Sequence, residues 1–189
     1  MRKTLVALML LMPIGVMAQT PSYTHVEGGL DIVDPPGRFG GSDTGVLVRG
    51  SLALDELIFV RAALSSHRYS ERVGPPPRTR VTVDRDLLSA GVGFRVPTEQ
   101  LFDLYGAADV LYDFGDADDA GFRLEGGAKA VLEGGWDSTA GLRVERLDDR
   151  NFVQVFASTW YELAPQFSLG GELAVGDFDE VLLGARYRF

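Results

Sequence analysis

Two imidazoles occur in the 189 residues, His25 and His67. A histidine acting as a general base needs a second group within hydrogen-bond reach to orient it and hold its proton. Asp31 and Asp113 are the candidate partners of His67, whereas His25 has no evident one and reads as an isolated polar residue. No linear motif supports these residues, so the expected catalytic set is empty, with His67, Asp31 and Asp113 as the positions to check. Gly115–Gly121, GDADDAG, carries three acids in seven residues and invites a calcium reading. It lacks the D-x-[DN]-x-[DN]-G spacing and the later Glu that a calcium loop requires. A solvated acidic loop is the plainer account, and no metal is expected. Glu133–Trp136, EGGW, is read as a hairpin turn, because no helix follows to make it a phosphate cradle. With no cysteine, a disulfide framework, a thiolate metal site and an N-terminal lipid anchor on cysteine are excluded. No cofactor is expected.

The elements that must position these residues are strands. Apolar and polar residues alternate in windows of about ten residues, and a helical period wins nowhere after the first 18 residues. The windows are Tyr23–Ile32, Thr44–Leu54, Leu57–Tyr69, Thr82–Val96, Leu101–Phe114, Phe122–Glu133, Trp136–Leu147, Phe152–Glu162, Phe167–Gly176 and Glu180–Phe189. Asp55-Glu56, Pro97–Gln100, Gly134-Gly135 and Leu163–Gln166 are tight connections. They alternate with Val33–Asp43, Ser70–Val81, Gly115–Gly121, Asp148–Asn151 and Asp177–Asp179. The first two of that second set are long and proline-rich, and proline stiffens an exposed segment. Tight turns at one end and variable loops at the other describe an up-and-down meander of ten strands, with eight as the alternative count. An even number places both termini at the tight-turn end.

One face of each strand is apolar and the other charged. Phe122, Leu124, Ala128, Ala130 and Leu132 oppose Arg123, Glu125, Gly127, Lys129 and Glu133. Phe102, Leu104, Ala108, Val110, Tyr112 and Phe114 oppose Asp103, Asp109 and Asp113. A soluble sandwich gives this alternation with the apolar face inside. A membrane barrel gives it with the apolar face toward lipid. The window lengths exceed the roughly 5–6 residues usual in soluble sheets and suit a tilted span of about 9–11. Aromatics sit near the strand ends on the apolar parity: Phe102, Tyr112, Phe114, Phe122, Trp136, Tyr161, Phe167, Tyr187 and Phe189. That is where interfacial girdles belong. The expected fold is therefore all-β, a transmembrane antiparallel barrel. Its lumen would be lined by Glu27, Arg49, Arg61, Arg85, Arg95, Asp103, Asp109, Glu125, Lys129, Arg143, Glu145, Glu172, Arg186 and Arg188. Charges of both signs interleaved in a narrow lumen must pair, since an unpaired buried charge costs several kcal/mol. Gly29, Gly91, Gly93, Gly127, Gly141 and Gly170 share that parity and would leave room for long Arg and Glu side chains.

The two ends carry addresses. Arg2 and Lys3, the apolar run Leu5–Val16 and Val16-Met17-Ala18 form a secretory signal peptide, residues 1–18, with cleavage expected after Ala18. The barrel domain is then 19–189. Removing two basic residues leaves 16 against 27 acidic, a net charge of 16 − 27 = −11, which argues against a nucleic-acid partner. The final LLGARYRF puts Val181, Leu183, Ala185, Tyr187 and Phe189 on one face and ends on the aromatic ring. This resembles the C-terminal signature of bacterial outer-membrane barrels. The resemblance implies that the barrel-assembly machinery reads this strand through Tyr187 and Phe189, and that it closes against the first strand.

Tyr23, Val26, Glu27, Gly28 and Gly29 in YTHVEGGLD, with Glu125, Gly126 and Gly127 in GFRLEGGAKA, also resemble a family of small OmpX/OmpA-like outer-membrane barrels of Xanthomonas-like Gammaproteobacteria. The likeness spans most of the mature chain and departs from the family in the two proline-rich loops. The expected function is a non-enzymatic integral outer-membrane barrel, monomeric, with a plugged lumen. It would meet lipid and lipopolysaccharide and act structurally or through its outer loops. The alternatives are a narrow pore for ions or small solutes, and an enzyme at the outer rim using His67 on lipid A or peptides.

Overall fold

The structure, a computed structural model, describes residues 21–34, 43–73, 79–98, 102–116, 118–147 and 149–189, and the backbone alone at 69–73 and 79–83. The expected signal peptide lies outside the described residues, as do 35–42 and 74–78 within the proline-rich loops.

Ten strands form one sheet: β1 (His25–Asp34), β2 (Asp43–Ala53), β3 (Ile58–Val73), β4 (Thr79–Pro97), β5 (Phe102–Asp113), β6 (Asp119–Leu132), β7 (Trp136–Leu147), β8 (Arg150–Ala164), β9 (Phe167–Gly176) and β10 (Asp179–Arg188). Each pairs antiparallel with its sequence neighbours, and β1 pairs with β10 from His25↔Arg188 to Asp34↔Asp179. The barrel is closed, and the backbone amides of the wall find partners within it. That is the condition for a sheet surrounded by hydrocarbon.

The tight turns follow from their residues. Asp55 Oδ1 accepts the amide N–H of Leu57 and of Ile58, each at 2.7 Å. The first of these donors, then the second, holds the exposed carboxyl below the ordinary aspartate value. Gly134 and Gly135 have φ of +77° and +83°, so EGGW is the two-residue hairpin that only left-handed residues close without strain. At the β8–β9 turn Gln166 has φ of +72° directly after Pro165.

Two strands run beyond the sequence windows. β3 continues to Val73 and β4 begins at Thr79, inside the segment expected to be loop. The ladder with β2 stops at Val46↔Ser66 and that with β5 at Leu87↔Asp113. The outer parts of β3 and β4 therefore pair only with each other, Val73↔Thr79 through Tyr69↔Val83, as a two-stranded ribbon beyond the neighbouring ladders. Ser70, Glu71 and Arg72 are all polar in sequence and Pro75-Pro76-Pro77 follows, so no alternation marks that stretch as strand.

Polarity is inverted relative to a soluble domain. Leu30, Val48, Val110, Leu142 and Leu183 are exposed around the outside, while Glu27, Asp103, Lys129, Arg143, Glu145 and Arg186 are buried inside. This suits a barrel whose outer face meets lipid. The interior is not all charge. Tyr23, Phe59, Tyr105, Ala107, Phe156 and Ala174 form one buried cluster, and Leu47, Trp160 and Leu182 another. Two of the inward glycines serve rings in place of the long charged chains expected. A Cβ on Gly93 would collide with the Phe59 ring, and one on Gly141 would meet first the Gly126 carbonyl and then the Phe156 ring.

Candidate functional site

The lumen is the chemically distinctive part of the molecule, and neighbouring strands build it pair by pair. In the β1–β2 and β1–β10 registers Glu27 stands opposite both Arg49 and Arg186, and its two carboxylate oxygens accept from one guanidinium each. On β6 and β7 Glu125 stands opposite Arg143, with Nε to Oε2 at 3.1 Å. Contacts across the lumen join these pairs. Arg143 and Arg49 reach opposite oxygens of Glu172 at 2.8 and 2.7 Å, and Arg61 reaches Glu125 at 2.9 Å and Asp109 at 2.6 Å. Arg186 reaches Asp137 at 3.2 Å, and Asp137 receives Lys129 at 3.4 Å.

The result is one alternating chain: Asp109, Arg61, Glu125, Arg143, Glu172, Arg49, Glu27, Arg186, Asp137, Lys129. It has as many cations as anions. Each interior member has a partner on both sides, which offsets the cost of withdrawing so many charges from water. Arginine is suited to such positions because its planar fork serves two carboxylates at once. Two of these guanidiniums also lie over rings: Arg143 is 4.8 Å from the Phe156 centroid and Arg186 is 4.4 Å from that of Trp160.

A smaller cluster occupies the loop-side half. Arg85 meets Asp113 at 3.2 Å and Glu145 at 3.5 Å, and Arg123 meets Glu145 at 2.8 Å. His67 Nε2 lies 3.0 Å from Asp31 Oδ2, with both residues buried. Of the two carboxylates weighed for His67, Asp31 is at its side and Asp113 belongs to Arg85. Near the tight turns Arg95 meets Asp103 at 3.5 Å, and Arg188 pairs with Glu162. Each of the fourteen lumen residues expected from the sequence thus has a carboxylate or cation partner inside or at the mouth.

Five partners lie outside the expected set: Arg123, Asp137, Glu180, Tyr23 and, at the mouth, Glu162. The first three share strand parity with Glu125, Arg143 and Arg186, so the alternation carried their signal. Tyr23 shares parity with Glu27 in the expected window Tyr23–Ile32, but in the structure it precedes β1. GDADDAG is partly absorbed into the wall: Asp119 opens β6, Asp118 accepts the Tyr112 hydroxyl at 2.6 Å, and Asp116 Oδ2 accepts the Asp84 amide at 2.9 Å.

Two cavities flank the charge chain. The larger, about 120 Å³, lies toward the tight turns and includes Tyr23, His25, Ser51, Phe59 and Tyr105 in its wall. The smaller, about 70 Å³, lies toward the loops and includes Asp31, Ser65, His67, Arg85, Glu145 and Glu180. Arg49, Arg123 and Arg143 line both, so the guanidiniums form the partition.

No protein-family profile matches the chain, and a search of curated proteins finds no match. Solved structures do match in shape. The chain is similar to the KdgM porin, solved in complex with disordered oligogalacturonate, at TM-score 0.55 and 7% identity over 87% of this chain and 99% of that one. It is similar to the NanC porin at TM-score 0.53 and 7% identity, covering 88% of this chain and 100% of that one. An outer membrane channel from Pseudomonas putida F1 gives TM-score 0.50 and 8% identity, covering 93% and 97%. At these identities the likeness is one of fold. The protein has the closed antiparallel architecture of the outer-membrane β-barrels.

Proposed function

We propose that this is a non-enzymatic integral barrel of the bacterial outer membrane, closed by its own side chains, with a structural role or one exercised through its outward loops. The observation that carries this is the partition of arginines and glutamates between two cavities of about 120 and 70 Å³. Opening it means separating charges that each hold two partners. Export with cleavage after Ala18, assembly through the Tyr187–Phe189 end, lipopolysaccharide contact, a monomeric state and kinship with the Xanthomonas-type barrels belong to the same proposal. Against an enzyme at the rim stands the size of the space beside His67, about 70 Å³, room for roughly two waters.

A narrow pore is the second reading. One observation favours it: apart from the Pro21–Thr24 segment, the described groups that obstruct the lumen are side chains of the wall strands, and the fold is shared with porins. Planar-bilayer recording of the mature chain decides between them. Folded, heat-modifiable protein that passes no discrete current steps is the expected result, and reproducible steps would put the pore first. Removing Arg49 and Glu172 together leaves Glu27 paired with Arg186 and Arg143 paired with Glu125. In a Tyr23→Ala background, which also clears the tight-turn mouth, this charge-balanced double alanine variant should insert and show steps that the parent lacks.

A further inference from the structure

The first residues the structure describes do not run along the wall. Before β1 starts at His25, Pro21 and Tyr23 are buried, and Tyr23, only 6% exposed, lines the larger cavity on its tight-turn side. Its ring lies 4.8 Å from that of Phe59. The Arg95 guanidinium and the Lys129 ammonium each stand 4.9 Å from the ring centroid. The backbone uses the same two cations. Lys129 Nζ donates to the Ser22 carbonyl at 2.6 Å and Arg95 Nη1 to the Pro21 carbonyl at 3.2 Å. Thr24 fastens the base of the segment to the wall: its Oγ1 accepts the Ala53 amide at 3.1 Å and its carbonyl accepts the Phe189 amide at 3.4 Å.

Two features make this segment separable from the barrel. Both cations hold carboxylates of their own, Asp103 at 3.5 Å for Arg95 and Asp137 at 3.4 Å for Lys129. Withdrawal of the segment therefore strands no buried charge. The Tyr23 hydroxyl is buried with no hydrogen-bond partner among the described residues, so seating the ring costs that group its water. Ring contact with Phe59, apolar burial and the two cations over the ring hold it in, and none of these is a salt bridge or a covalent bond.

From this geometry we infer that Pro21–Thr24 is a built-in stopper of the periplasmic mouth, with Tyr23 as its seal and Thr24 as its hinge. Its release opens the larger cavity to the periplasm while the arginine–glutamate partition above stays shut. The stopper rests on the proposed membrane barrel with its tight turns toward the periplasm, but it is a separate device from the partition.

The natural sequence has no cysteine, so Ser51→Cys places a single thiol on the larger cavity. The full chain is folded into lipid vesicles and reacted with 2-aminoethyl methanethiosulfonate, and labelling is followed only in the heat-modifiable band. That band reports whether the barrel forms at all, independently of the stopper. Ser51→Cys combined with Tyr23→Ala should label at least ten times faster than Ser51→Cys alone. Tyr23→Phe keeps the ring and should label as slowly as the parent. Should Tyr23→Ala fail to fold, Phe59→Leu, which removes the stacking partner, should speed labelling in the same direction. Equal rates in the parent and the Tyr23→Ala or Phe59→Leu background, whether all fast or all slow, would overturn the inference.

Discussion

Glu27 shows what a single lumen residue is worth. It is 2% exposed and its two oxygens serve two arginines. Glu27→Ala leaves Arg49 and Arg186 facing one another across the vacated site, although each keeps one other partner, Glu172 and Asp137. Breaking a buried pair from one side costs about 3–5 kcal/mol, and urea unfolding from vesicles should show a loss of that order. Glu27→Ala with Arg49→Ala should recover part of it, because the surplus cation is then gone. Arg68 offers the contrast. It pairs with Asp84 at 2.7 Å in the open, with 73% of its side chain exposed. Arg68→Ala should leave the unfolding midpoint unchanged, since an exposed pair contributes little. These residues were legible as inward-facing from strand parity alone. Which carboxylate each cation chooses was not, because partners such as Arg143 and Glu172 lie on strands that do not pair with each other.

At the level of elements, the strands and tight turns were largely readable, and the turns explain why. Asp55 and Gly134-Gly135 are residues whose local chemistry closes a hairpin without help from the rest of the fold. Gly135→Ala forces a Cβ onto a φ of +83° and should destabilise by about 1–2 kcal/mol. Gly93 belongs to a different class. Its backbone is ordinary strand, and glycine is needed because the Phe59 ring from the neighbouring strand lies flat on it. Gly93→Ala should displace that ring and cost about 1–3 kcal/mol, with a change in near-ultraviolet circular dichroism as the specific sign. The sequence showed Gly93 facing inward but could not show a ring above it. The ribbon at the ends of β3 and β4 was missed because Ser70-Glu71-Arg72 and the prolines after it show no alternation in the sequence.

For the whole molecule, the decisive property is which face meets which medium. Leu142 is 57% exposed and lies near the middle of β7. Leu142→Arg should cost about 2–4 kcal/mol in vesicles if that face meets hydrocarbon, and the same change near an interface only about 0–1. A soluble barrel would tolerate the arginine at Leu142 without loss, so the comparison tests the medium directly. Closure between β1 and β10 also acts at this scale. His25↔Arg188 to Asp34↔Asp179 pairs the first and last strands along their length, and it brings Glu27 to Arg186 across 159 residues of sequence.

The sequence by itself determined the class of fold, the face on which most strand side chains lie and that charges of both signs meet inside, while the count of ten strands rather than eight came from the structure. The first three follow from a period of two and from local turn chemistry, and need no knowledge of distant partners. Only the tertiary structure decided how those charges link into one chain, that rings share the lumen with them, and that Tyr23 sits in the mouth. Those outcomes depend on the curvature that closes the sheet and brings distant strands across a narrow lumen, and no stretch of sequence encodes that distance locally.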